Sequence, residues 1–306
     1  VNSLIDVGGA GEHTLRWGEQ EAVVVEAGGG LRTYSAAGAD LVAGYPAGSV
    51  CPSARGQWLV PWPNRIRDGR YTFAGTEHRT PLDPGKTTAI HGMVRWLPFQ
   101  VLARAEASIE LGTVLTARPG YPWTLRIWTR WSLGERGLTS ELVVENVSDD
   151  DAPYAAGTHP YLALGGGLVD DVTVTVPGAT ILLGEHGMMT QRTPVDNDND
   201  FRTARIVGES QLGLYTDLSR DTSGLAHTVL ERPDGWRIAL WQDEAWPFVL
   251  LYTADSVSVA EGRRRSLAVE PMTAAVDAFN TGDGLITLEP GGTFTGTWGI
   301  SASRWR

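Results

Sequence analysis

The chain has 306 residues and a formal net charge of −11, from 36 acidic and 25 basic side chains. That sign argues against nucleic acid and anionic membrane surfaces as partners, because both call for a basic footprint, and no apolar run approaches the roughly 20 residues of a membrane-spanning helix. A single cysteine, Cys51, rules out an intrachain disulfide and a cysteine-built zinc or iron–sulfur centre, and fits a reducing, cytoplasmic setting.

Taken from the start, Val1–Gly9 lacks the basic opening and apolar centre of a signal peptide. The first chemically suggestive window is Leu59–Phe73, which contains Pro61-Trp62-Pro63-Asn64-Arg65-Ile66. Its prolines stiffen the approach to Arg65, whose guanidinium offers a fork of donors to hydroxyl or carboxylate oxygens. Asp68-Gly69 then predicts a tight hairpin turn. Lys86, the only lysine, lies in a polar loop and is a poor candidate for Schiff-base chemistry. The window Ala89–Trp96 holds His91 before Gly92, where the missing side chain leaves room for a ligand or a turn.

Strand signals then dominate. Across Thr124–Leu133, Leu125, Ile127, Trp131 and Leu133 share one face while Arg126, Trp128, Arg130 and Ser132 share the other, the period of two expected of a half-buried strand. Similar runs are Glu141–Val147, Val172–Val176, Arg237–Gln242, Phe248–Thr253 and Thr293–Ile300. Between them, Gly157-Thr158-His159-Pro160-Tyr161 places a histidine before a proline, which biases it to extended backbone and holds its imidazole for acid–base chemistry. The Asp196–Asp200 run has alternating oxygens but lacks the glycine and distal glutamate of a calcium loop, so it reads as a solvated loop. Arg263-Arg264-Arg265 reads as a solvated hairpin loop, with an anion-binding site as the alternative. In Ser266–Thr273, Glu270 ends an apolar run before Pro271, which suggests a partly buried carboxylate. With 37 glycines, 17 prolines and few helix signals, the pattern predicts an all-β fold, one domain over residues 1–306 without internal repeats.

His91, His159, Arg65 and Glu270 together form an acid–base set. Two histidines and a carboxylate also occur as metal ligands, but they lie in distant segments without HxH or HExxH spacing, so no metal is expected.

In this order, Pro63-Asn64-Arg65-Ile66, His91-Gly92, Gly157-Thr158-His159-Pro160-Tyr161 and Glu270-Pro271-Met272-Thr273 resemble the aldose 1-epimerase, or mutarotase, family. Asp277-Ala278-Phe279-Asn280 and Leu288-Glu289-Pro290-Gly291-Gly292 continue the resemblance, which spans roughly residues 59 to 300. It implies a large antiparallel β-sandwich with a monosaccharide in a cleft, and the chemistry needs no cofactor; a monomer or homodimer is expected. It also implies roles: Glu270 as base on the C1 hydroxyl, His159 as acid on the ring oxygen, His91 near that oxygen, and Arg65 on sugar hydroxyls. The chain departs from the family in one place. Gly213, in Gln211–Leu218, stands where a sugar-binding aspartate is expected. Asp243 is the candidate substitute, with a hairpin-turn role as its alternative. Trp62, Trp96, Trp246 and Phe248 lie near these windows, and one of them is expected to line the pocket. A hexose-6-phosphate or other anionic-sugar 1-epimerase is the nearest alternative function. A non-catalytic carbohydrate-binding module and a glycosidase follow, the latter short of its second carboxylate.

Overall fold

The structure is a computed structural model that describes residues 11–83, 85–210, 212–259 and 262–305; the opening nonapeptide and Gln211 of the departing segment lie outside them. Two large antiparallel sheets carry these residues. The first runs, edge to edge, Glu12–Trp17, Gln20–Val25, Leu31–Ala36, Ala39–Val42, Tyr161–Ala163, Ser266–Met272, Phe248–Tyr252, Leu214–Leu218, Gly178–Leu183 and Gln191–Pro194. The short strands Gly157–Thr158 and Trp58–Leu59 join it off that path. The second runs Gln100–Arg104, Ser108–Leu115, Leu125–Gly134, Gly137–Asn146, Thr293–Arg304, Trp236–Gln242, Ala226–Glu231, Thr173–Thr175 and Arg205–Ile206. Each of the six runs with strand periodicity lies in a strand of these sheets, and the all-β expectation holds.

The periodicity sets which face is buried. Leu125, Ile127, Trp131 and Leu133 are buried, while Arg126 and Arg130 are exposed. The buried face meets the first sheet through tryptophans. The ring of Trp58, on the first sheet, lies 5.7 Å from Trp131 and 6.3 Å from Trp298, both on the second. Two of the three indole N–H groups find partners across the core: Trp58 Nε1 donates to Thr129 Oγ1 at 3.1 Å and Trp131 Nε1 donates to the Gly29 carbonyl at 3.0 Å. Trp131→Ala is therefore expected to cost about 3–5 kcal/mol, read as a lower urea midpoint at unchanged slope. A loss below about 1 kcal/mol would contradict this account of the core.

One local expectation changes, and another holds apart from a single residue. Asp68 and Gly69 do form a turn, with φ of 55° and 60°, but the strands it joins do not pair with each other. Arg65–Arg67 pairs with Thr88–Ile90, and Arg70–Phe73 with Thr76–Arg79. Turn chemistry reverses the chain without choosing the partner, and the Arg67 N–H goes instead to Asp277 Oδ1 at 2.9 Å. In the acidic loop, Asp196 Oδ1 accepts from the Asp198 N–H and Asp200 pairs with Arg202, while Asn199 is buried rather than solvated.

Candidate active site

The antiparallel register brings the two principal candidates together. Tyr161 pairs with Ala268, Ala163 with Ser266, and Gly157 with Met272. Carried through the intervening Pro160, this register sets His159 opposite Glu270. Side chains two apart on a strand share a face, so Leu267 and Val269 enter the main core while Glu270 takes the opposite face, between Ala268 and Met272 in two smaller apolar clusters, and lines the cleft. His159 Nε2 lies 3.3 Å from Glu270 Oε1. The imidazole stacks on Tyr161, with ring centroids 4.9 Å apart and planes at 7°. Its backbone is pinned on both sides: the Gly56 N–H donates to the His159 carbonyl and the Val269 N–H to the Pro160 carbonyl.

His91 and Arg65 come from the small ladder beside the sheet, where Arg65 pairs with Ile90. The Asn64 N–H donates to His91 Nδ1 at 3.2 Å, and the His91 N–H donates to the Asn64 carbonyl at 2.8 Å. A neutral imidazole that accepts at Nδ1 carries its proton on Nε2, so His91 can donate from that nitrogen. Its ring lies 5.2 Å from that of His159. His91 itself has φ of 62° and Gly92 of 66°. A Cβ on Gly92 would sit 2.1 Å from the Val60 carbonyl oxygen, so the space left by glycine is taken by backbone and serves a turn. Arg65 Nη1 donates to Asn64 Oδ1 at 3.0 Å.

These four residues line one cleft of about 600 Å³, a volume suited to a small ligand. Asp243 is not among its lining residues. It holds a turn in the second sheet, where Oδ1 accepts from the Ala245 N–H and Oδ2 from the Thr297 N–H. Both carboxylate oxygens are thus engaged by backbone, which is the alternative foreseen for it. Near Gly213 the cleft wall is apolar, formed by Leu212 and Leu250. Of the four aromatic candidates only Trp96 lines the cleft, 56% exposed. Trp246 stacks on Trp58, Trp62 packs edge-on against Phe279, and Phe248 packs in a side cluster. Tyr161, Asp83 and Arg95 also line the cleft, beyond the residues singled out by their chemistry in the sequence. Arg95 had a usable signal, since it lies four residues beyond His91 and the turn at Gly92 folds it back. Asp83 had none.

Burial governs the electrostatics. Glu270 is 1% exposed and its proton affinity is raised well above the ordinary carboxylate value, mainly by desolvation, with Arg65 opposing. Desolvation lowers His159 to about 3, and pushes His91 well below 6.5 with help from the charges of His159, Arg95 and Arg65. Burial thus disfavours the charge-separated form of the Glu270–His159 pair. Among protein atoms, Glu270 Oε2 and His159 Nδ1 are buried without a hydrogen-bond partner. The described residues contain no group of three or more His, Cys, Asp or Glu placed to hold a metal ion.

The sequence model of the aldose 1-epimerase family matches residues 12–301. The uncharacterized Escherichia coli (strain K12) protein YihR is 29% identical over 282 residues, covering 91% of this chain and 89% of that one. Two solved structures share the fold at low identity. A GalM/aldose epimerase homologue from C. elegans superposes with a TM-score of 0.83 at 16% identity, over 97% of this chain and 100% of that one. Galactose 1-epimerase from Lactobacillus acidophilus gives 0.81 at 18%, over 96% and 95%.

Proposed function

The chain belongs to the aldose 1-epimerase family, and from that premise we propose that it interconverts the α and β anomers of an aldose at the Glu270–His159 pair. The observation that carries this reading is the buried 3.3 Å contact between the two groups, with one carboxylate oxygen left free of protein partners.

Ring opening removes a proton from the C1 hydroxyl and adds one to the ring oxygen. Glu270 takes the first and His159 supplies the second as the bond between C1 and the ring oxygen breaks. The C1–C2 bond of the open-chain aldehyde then rotates. Closure reverses both transfers: His159 recovers the proton, and Glu270 returns its own to the new C1 hydroxyl. The pair begins charge-separated and stands neutral beside the aldehyde, so the proton count is one throughout. Burial favours the neutral form. Hydrogen bonds from sugar hydroxyls to the carboxylate offset that preference and bring the charged form within reach. His91 donates from Nε2 near the ring oxygen, Arg65 grips hydroxyls, and Trp96 offers an aromatic face to the ring.

The test is the rate at which fresh α-D-glucose and α-D-galactose reach anomeric equilibrium, followed by optical rotation against a buffer blank and extended to anionic aldoses. Acceleration supports the reading, and failure with every sugar removes it. The pH dependence carries a sign. Loss of activity in acid requires a second proton on the pair, and the lowered His159 takes it near pH 3 rather than near 6.5. Catalysis is therefore expected not to decline as pH falls from 7 to 5.5. A decline centred on 6.5 would contradict the arrangement.

A further inference from the structure

One loop braces His159 from outside the cleft. Residues 53–56 reach the His159–Tyr161 segment at three points. The Tyr161 hydroxyl donates to the Ser53 carbonyl at 3.3 Å, the Arg55 guanidinium lies 4.2 Å from the centre of the Tyr161 ring, and the Gly56 N–H donates to the His159 carbonyl at 2.8 Å. The strand register places Arg55 on the face of Tyr161 away from the imidazole. His159 lies level with Glu270 and Tyr161 with Ala268, while Ser266, whose Oγ accepts from Arg55 Nη1 at 3.3 Å, pairs with Ala163 two residues further on. Guanidinium, phenol and imidazole therefore form one stack in that order, with the last two planes only 7° apart. Arg55 is 7% exposed and does not line the cleft. Among the described residues it makes no ion pair. A desolvated cation without a counter-charge is costly, and an apolar side chain would fill the same space at less cost. The charge is held instead by the π face of Tyr161.

The far end of the stack shows what the clamp serves. A histidine that moves protons is commonly aimed by a hydrogen bond at its second ring nitrogen. Here His159 Nδ1 is buried without a hydrogen-bond partner, and only the residue's own backbone acts on it. Stacking supplies the missing restraint. We infer that Arg55 is a positioning residue that acts through Tyr161, clamping the phenol so that the imidazole of His159 keeps Nε2 aimed at Glu270 and at the ring oxygen of the sugar. The step it serves rests on the epimerase reading; the clamp itself does not. Arg55 is also close enough to be felt electrostatically. After burial and the backbone of His159, its charge is the largest influence on that imidazole, ahead of Arg95. Ser53 and Gly56 hold the two ends of the segment by backbone groups, so the side chain of Arg55 is the part of the brace that substitution can remove.

The test measures kcat and KM for anomer exchange by NMR magnetisation transfer, and the tautomer of His159 from its imidazole nitrogen shifts at pH 7. It compares the native protein with Arg55→Lys and Arg55→Gln. Glutamine is expected to lower kcat about tenfold with KM changed less than about twofold, since Arg55 lies outside the cleft, and to replace one sharp tautomer by a mixture or by broadened signals. Lysine keeps a cation over the ring and should retain the native spectrum and at least about half of the native kcat. In a Tyr161→Leu background the glutamine substitution should have little further effect; an undiminished tenfold loss there overturns the route through Tyr161. Native kcat and spectrum in Arg55→Gln overturn the inference. An equal loss of kcat in both variants with the native imidazole spectrum also overturns it and leaves Arg55 a structural residue. Should the glutamine variant fold poorly, Arg55→Met, which keeps an unbranched stem without the charge, takes its place with the same outcomes. If the native protein exchanges no sugar, the epimerase reading falls, and the imidazole spectra alone decide whether Arg55 positions the ring.

Discussion

Glu270→Gln is expected to slow anomer exchange by about 10²–10⁴-fold while leaving the chain at least as stable as its parent. Glutamine keeps the size of a side chain that is 1% exposed and stays neutral, the form that burial favours there. The sign of the stability change follows from the raised proton affinity of Glu270. The folded protein holds this proton more tightly than the unfolded chain. The parent therefore loses stability as pH rises from the unfolded carboxyl value through the folded one. Glutamine cannot make that loss. The stability gap between variant and parent should thus widen from pH 5 to pH 7.5, measured by urea denaturation at each pH. Loss of activity with a large fall in stability would mark Glu270 as a structural residue instead. Full activity in the glutamine variant would remove it from the mechanism.

His159→Asn is expected to cost a similar 10²–10⁴-fold in kcat, and the double variant with Glu270→Gln should be little slower than the slower single variant. Two groups that pass one proton count act as a unit, and removing either disables the other. If the two losses multiply instead, the groups act separately and the 3.3 Å contact is incidental. The imidazole also stacks on Tyr161, so some stability will be lost with it. Circular dichroism and the urea midpoint separate that loss from the kinetic one. Weaker binding at unchanged kcat would give His159 a binding role rather than an acid role.

Much of this molecule is written locally. The alternation in Thr124–Leu133 follows from the two-residue period of a strand, and the buried face of the folded sheet repeats it residue for residue. The His159-Pro160 and Glu270-Pro271 windows were legible as rigid positions for polar side chains, and four short motifs in order were enough to indicate the family that residues 12–301 match. Asp243 shows the limit of such reading. A carboxylate in a turn looks the same in sequence whether it faces a sugar or caps a backbone, and only the position of the Thr297 N–H separates the two.

Residue types, strand faces and the rigid frames around His91, His159 and Glu270 are thus properties of the sequence itself, because each depends on neighbours a few bonds away. The tertiary structure alone decided that His159 meets Glu270, since that follows from the pairing of strands about a hundred residues apart, which no local period encodes. It decided the direction of their proton affinities, which depends on water excluded by the surrounding sheets. It also decided that Arg65 and Arg95 join His91, His159 and Glu270 around one cleft, because which side chains converge is set in space and not by the composition of the chain.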